Sequence, residues 1–157
     1  MKRLTLLVLV IFALIFAFTP QIFAGERDVK VPDLTGSWEG SGILIIAFLS
    51  DPSATKIVPF DIIFTITDQN GPLFEADMIQ TFPQPMPTKY IHIVGEVNGY
   101  KVIMQSVTFF VGDSIFGNSV GTLDSKGKVM NVLISGAEGP DPSYRYFAGT
   151  FTIEKVD

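Results

Sequence analysis

His92 is the only histidine in a chain of 157 residues that contains no cysteine. Zinc and related soft metals are held by sets of Cys and His ligands, which this sequence does not supply. A lone histidine works as a general base only with a partner in reach. Antiparallel pairing across 83–87 would bring Asp77 or Met78 near His92. Glu75 and Asp77 would then face solvent, so a structural or surface histidine is expected. Asp61 interrupts an apolar run and is the one carboxylate expected to be partly buried; a strand-edge position beside Pro59 is the simpler account. No nucleophile elbow, phosphate loop or basic–aromatic stripe for nucleic acid occurs. No catalytic residue, metal or cofactor is expected.

Arg145 is the residue whose surroundings suggest binding. It shares the two-residue alternation of Phe147, so on a strand both side chains point to one face. A guanidinium among aromatic rings suits a carboxylate or another anionic head group. The plainer alternative is a pairing with Asp141 or Glu138 on the adjacent loop. Phe48, Phe82, Phe110, Tyr144 and Phe147 would lie at the same end and line or cover the site.

These residues need elements to hold them, and the sequence offers strands. No 3.6-residue apolar period appears after Ser37. Runs rich in Ile, Val, Phe, Tyr and Thr recur between glycine and proline signals, the pattern of an all-β domain. Eight runs are expected, at about 37–49, 56–68, 72–82, 88–97, 100–110, 114–123, 127–137 and 144–156. Gln69-Asn70-Gly71, Asn98-Gly99 and Asp124-Ser125-Lys126-Gly127 read as tight hairpin turns. The proline-bearing connections 50–55, 83–87 and 138–143 alternate with them, together with the short 111–113. In an antiparallel meander all tight turns then fall at one end and all longer loops at the other. Eight such strands can close into an up-and-down barrel just wide enough for packed side chains or one small ligand.

The first 24 residues read as an export signal: Lys2 and Arg3, an apolar run over 4–18, and a small-residue site ending at Ala24. That run of about 15 residues is shorter than the roughly 20 that span a bilayer. Cleavage near Ala24 would leave an extended segment over 25–36 and a single barrel domain over 37–157. The mature chain would carry 9 basic and 16 acidic residues. A formal charge of −7 argues against nucleic acid and anionic membrane surfaces as partners. A secreted or periplasmic location follows, with no membrane span in the mature chain. Without cysteine, stability must come from packing and hydrogen bonds.

Gly36-Ser37-Trp38 at the start of the first run resembles the Gly-x-Trp signature of the lipocalin and avidin-like barrels, the calycin group. The resemblance covers most of 36–156 through strand number and meander. It implies that Trp38 plugs the closed end of the barrel and that a cation after the last strand packs on it, for which Lys155 is available. It also implies a C-terminal helix, for which the sequence has no room. The polar set that avidin-like proteins use for biotin is not found.

Trp38 sets the inner face. Gly40, Gly42, Leu44, Ile46 and Phe48 would share it, with the glycines leaving space for a cavity. Phe147, Phe151 and Ile153, then Phe60, Ile62, Phe64 and Ile66, then Phe74, Ala76, Met78 and Phe82 follow by alternation. Ile91, Ile93 and Val97 are assigned inward, as are Val102, Met104, Phe116, Val120, Met130, Val132 and Ile134. The outward residues Ile43, Ile45, Ala47 and Leu49 form an apolar stripe, with Ile79 nearby. Such a stripe marks an interface, most economically between copies of the chain; a bulge that swaps the faces is the alternative. An outer-membrane barrel would place its apolar face outward and its polar face inward, the reverse of the Trp38 assignment.

The expected function is binding of a small apolar or amphipathic ligand inside an exported barrel. The alternatives are a non-enzymatic interaction or oligomeric barrel with a filled core, and a small barrel isomerase or cyclase acting on a hydrophobic substrate.

Overall fold

The computed structural model describes residues 30–48, 51–110, 113–139 and 145–156. The expected export signal lies outside the described residues. Eight strands follow one another: β1 (Gly36–Phe48), β2 (Lys56–Asn70), β3 (Leu73–Thr81), β4 (Lys89–Asn98), β5 (Lys101–Phe110), β6 (Asp113–Leu123), β7 (Val129–Glu138) and β8 (Arg145–Lys155). A 3-10 turn at Pro52–Ala54 interrupts the connection from β1 to β2. Each strand pairs antiparallel with the next, and β8 pairs back onto β1, closing an up-and-down barrel. The all-β, eight-stranded expectation therefore holds.

The register fixes the shape of the barrel. Stepping from Gly36 across Ile66, Ala76, Ile93, Ser106, Gly117, Gly136 and Phe147 returns to β1 at Ile46. One circuit thus climbs ten residues along β1, and such a stagger requires the strands to tilt strongly against the barrel axis. The hairpin turns use Gly71 (φ 59°), Gly99 (φ 59°) and Gly127 (φ 67°), the left-handed conformation that a side chain disfavours. They lie at one end with the start of β1 and the end of β8.

That end is bolted shut. Trp38 is fully buried, and its indole N–H donates to the Leu34 carbonyl at 2.9 Å. The Gln69 side chain accepts from the Leu34 N–H at 2.8 Å and donates to the Pro32 carbonyl at 2.9 Å. Lys155 Nζ donates to the Asp33 carbonyl at 3.1 Å and stands 5.8 Å from the Trp38 ring centroid. The lead-in before β1 is therefore tied across the closed end, with Leu34 as part of the core.

Three sequence expectations change on contact with the structure. Gly40 and Gly42 do not leave space. A Cβ on Gly40 would lie 1.9 Å from the Thr152 carbonyl oxygen, and one on Gly42 2.5 Å from Phe151 Cβ. The glycines let β8 press against β1, as corner positions of a barrel do. On β6 the faces are reversed: Phe116 and Val120 point outward, while Ile115, Gly117, Ser119, Gly121 and Leu123 line the interior. The Phe147 and Met130 side chains pack over Gly117 and Gly121, so the inner wall of β6 has to be small. Pro59 lies within β2 opposite Ile43, in a stretch paired on one side only, because the ladder with β3 begins at Asp61. Asp61 is exposed and sits between Ser41 and Thr81 on the outer wall.

The interior is filled from the closed end upward by Trp38, Phe64, Ile66, Met78, Met130, Val132, Phe151 and their neighbours in one apolar cluster. Each such side chain contributes roughly 1.5–3 kcal/mol relative to exposure. The register of β1 is continuous on both sides, so Ile43 and Ile45 do face outward, nearly half exposed, with Ile57 at 70% beside them; Ala47 is partly exposed, and Leu49 lies outside the described residues. The one ladder irregularity between β2 and β3 falls at Ile66/Asp68.

Candidate functional site

The open end gathers charge inside an apolar barrel. On β4, Lys89 has the same parity as Ile91 and Ile93. On β7, Glu138 continues the inner row of Met130, Val132 and Ile134. On β8, Arg145 precedes Phe147 on the inner face. The three meet. Lys89 Nζ donates to Glu138 Oε2, and Arg145 Nη2 donates to Glu138 Oε1 at 3.1 Å. The Glu138 side chain is 8% exposed, that of Lys89 14% and that of Arg145 34%. Lys89 also lies 5.6 Å from the Phe82 ring centroid. The carboxylate thus ties β4, β7 and β8 together, and each of its oxygens has a cationic donor. Burying such charges is costly unless they are paired and hydrogen-bonded. Gln80, 3% exposed and opposite Lys89 in the ladder, adds a further polar group to the same end.

Around this cluster the walls are apolar. Leu44, Ile46, Ile115 and Phe147 line a cavity of only about 10 Å³ with the three charged residues. That is about the room one water needs. Phe48 stands opposite Arg145 in the β1–β8 ladder and packs half-buried against the core, as do Phe147 and Met86. Phe82 is buried, with its ring 5.8 Å from that of Phe60. Of the residues expected at this end, Arg145, Phe48, Phe82 and Phe147 are thus brought to one mouth. Tyr144 and the Phe110 side chain lie outside the described residues.

Sequence reasoning missed Lys89, and met Glu138 only as a loop partner for Arg145. Both carried a signal. Each lies two or four residues from inward apolar positions on a strand, so the alternation that placed Ile91 and Ile134 inward also applies to them.

His92 has a different setting. Its Nδ1 lies 3.1 Å from Asp77 Oδ1, with both side chains more than half exposed. The Thr108 hydroxyl accepts from the His92 backbone N–H at 3.3 Å. The pair belongs to an outer recess of about 430 Å³ with Tyr90 and Ile79. His92 points outward and Arg145 inward, so the two cannot act on one substrate. A second outer recess, about 700 Å³, runs over Gly42 between Ser41, Asp61, Thr81, Thr150 and Thr152.

Two carboxylates at the closed end are perturbed by hydrogen bonds. Donation from the hydroxyl and backbone N–H of Thr35 holds Asp33 below the usual aspartate range. The backbone N–H groups of Val129 and Lys128 do the same for Asp124 in the β6–β7 turn. Both residues anchor turns and lie away from the mouth.

No family model and no curated protein matches the chain.

Proposed function

We propose that the chain is an exported, calycin-like barrel that binds a small amphipathic molecule at its open mouth and does not transform it. The observation that carries this reading is the convergence of Lys89 and Arg145 on one buried carboxylate within apolar walls. Cationic donors in a low-dielectric setting recognise an anionic head group strongly. Leu44, Ile46 and Phe48 would receive the apolar part, with Phe147 and Phe82 flanking it. Because the core beneath is filled, the ligand sits in the mouth and not deep in the barrel. Lys155 over Trp38 supports the calycin comparison.

The test is direct binding. Dodecanoate should bind the purified protein, and Arg145→Ala should weaken binding about tenfold, as expected for one lost charged hydrogen bond. Extracts of denatured protein, analysed by mass spectrometry, should contain an amphipathic molecule. Absence of both binding and a co-purifying ligand sinks the proposal.

A second reading is favoured by a separate observation. Pro59, Ile43, Thr150, Leu133, Val120 and Ile103 are successive partners across β2, β1, β8, β7, β6 and β5, and all are exposed. The β1–β2 part of this row, Ile43 and Pro59 with Ile45 and Ile57 beside them, would serve as a contact between copies of the chain.

A further inference from the structure

The mouth has almost no free volume, yet the two groups that fill it are chemically the two halves of an amphipathic acid. Glu138 places a carboxylate between Lys89 and Arg145, with one oxygen facing each cation. Phe147 places an apolar ring immediately beside it, two positions from Arg145 on the same face of β8.

The ring has an unusual seat. Its Cζ lies 2.5 Å from where a Cβ of Gly136 would stand and 3.6 Å from that of Gly117. Beneath it are the facing glycines Gly117 and Gly136 of β6 and β7, where the backbone is bare. The Ser106 hydroxyl, which donates to the Gly117 carbonyl at 3.4 Å, borders that surface. Phe147 is only partly buried, so it can turn towards solvent at less cost than the fully buried rings below it. Glu138 is the last residue of β7, and its side chain is 8% exposed.

We infer that the mouth holds its own surrogate ligand. The Glu138 carboxylate stands where an anionic head group binds, and the Phe147 ring stands where an apolar tail binds. A fatty-acid-like monocarboxylate enters by displacing both. This rests on the mouth being the binding site, and it specifies the ligand class: one planar carboxylate on a chain or ring thin enough for the slot over Gly117 and Gly136. It also makes Glu138 an internal competitor and not a ligand contact.

The competition sets the sign of the test. Glu138→Gln keeps size and an acceptor oxygen but removes the competing charge. It should bind dodecanoate about tenfold more tightly than the wild type, and dodecan-1-ol with unchanged affinity. Phe147→Ala should tighten both ligands several-fold, because it empties the slot. Calorimetric titration reads affinity, and circular dichroism checks the fold of each variant. If Glu138→Gln does not fold, Phe147→Ala decides alone. Weaker or unchanged dodecanoate binding in the folded variants, with a wild type that binds, overturns the surrogate while leaving the mouth as the site. If the wild type and both variants bind neither probe, the mouth reading itself fails and takes this inference with it.

Discussion

At the scale of single residues, the two ends of the barrel use their carboxylates differently. The mouth holds a carboxylate between two cations, whereas the closed end holds carboxylates that cap backbone N–H groups. Asp33 and Asp124 therefore differ from Glu138 in what acid does to them. Their folded pKa values lie below the unfolded value, about 3.9 for aspartate. The stability they contribute is complete above that value and is lost as pH falls through it towards the folded one. Asp124→Ala should therefore be destabilised relative to wild type at pH 7, and the gap should shrink between pH 5 and pH 2. Urea denaturation across that range measures it; a gap that does not change with pH would show that the turn gains nothing from the charge. The same scale shows where sequence reading ran short. Arg145 was singled out because Phe147 lay two residues away, whereas Lys89 and Glu138 sit at strand ends. There the boundary between strand and loop decides which way a side chain points, and β7 runs one residue further than its pattern suggested.

At the scale of elements, the strands were legible because period-two patterns and glycine turns agree with one another. Every strand boundary lies within two residues of its expected place. The faces were legible where an aromatic pointed inward, as on β1, β2 and β8. They were not legible on β6, where hydrophobicity points the wrong way. There the barrel needs small residues inside because Phe147 and Met130 cross over from β8 and β7. An inner wall is chosen jointly by neighbouring strands, which one strand's pattern does not reveal. The glycines of β1 follow the same logic. Gly42→Ala would force its new methyl onto the Thr150 carbonyl, 2.3 Å away, and onto Phe151. Because the clash is with backbone, the β1–β8 seam has to open. The expected outcome is a loss of several kcal/mol, or failure to fold, whereas Gly71→Ala at a turn with open space around it should cost about 1 kcal/mol from its positive φ alone. Thermal denaturation of the two variants separates steric closure from turn strain.

At the scale of the whole molecule, the outer wall is as informative as the interior. A polar row of Thr81, Asp61, Ser41, Thr152, Asn131 and Thr122 runs beside a row of Pro59, Ile43, Thr150, Leu133, Val120 and Ile103 that is apolar except at Thr150. If the apolar row joins two copies of the chain, Ile45→Glu should shift the purified protein to the monomer in analytical ultracentrifugation, with dodecanoate binding intact. A wild type that is already monomeric at high concentration would remove that role from the row. The mouth and the row lie on different surfaces, so loss of one function leaves the other measurable.

The seam between β1 and β8 also governs when folding can finish. Lys155 reaches back to Asp33, 122 positions earlier in the chain, and the first strand lacks one of its two ladders until the last has been made. Contacts of such sequence separation are slow to form, because the intervening chain must be ordered first. Closure of the barrel therefore waits for β8. If the chain crosses a membrane as an extended thread, as the proposed export requires, that delay keeps a closed barrel from forming before the passage. The order of strands in this barrel thus acts as a timer as well as a wall.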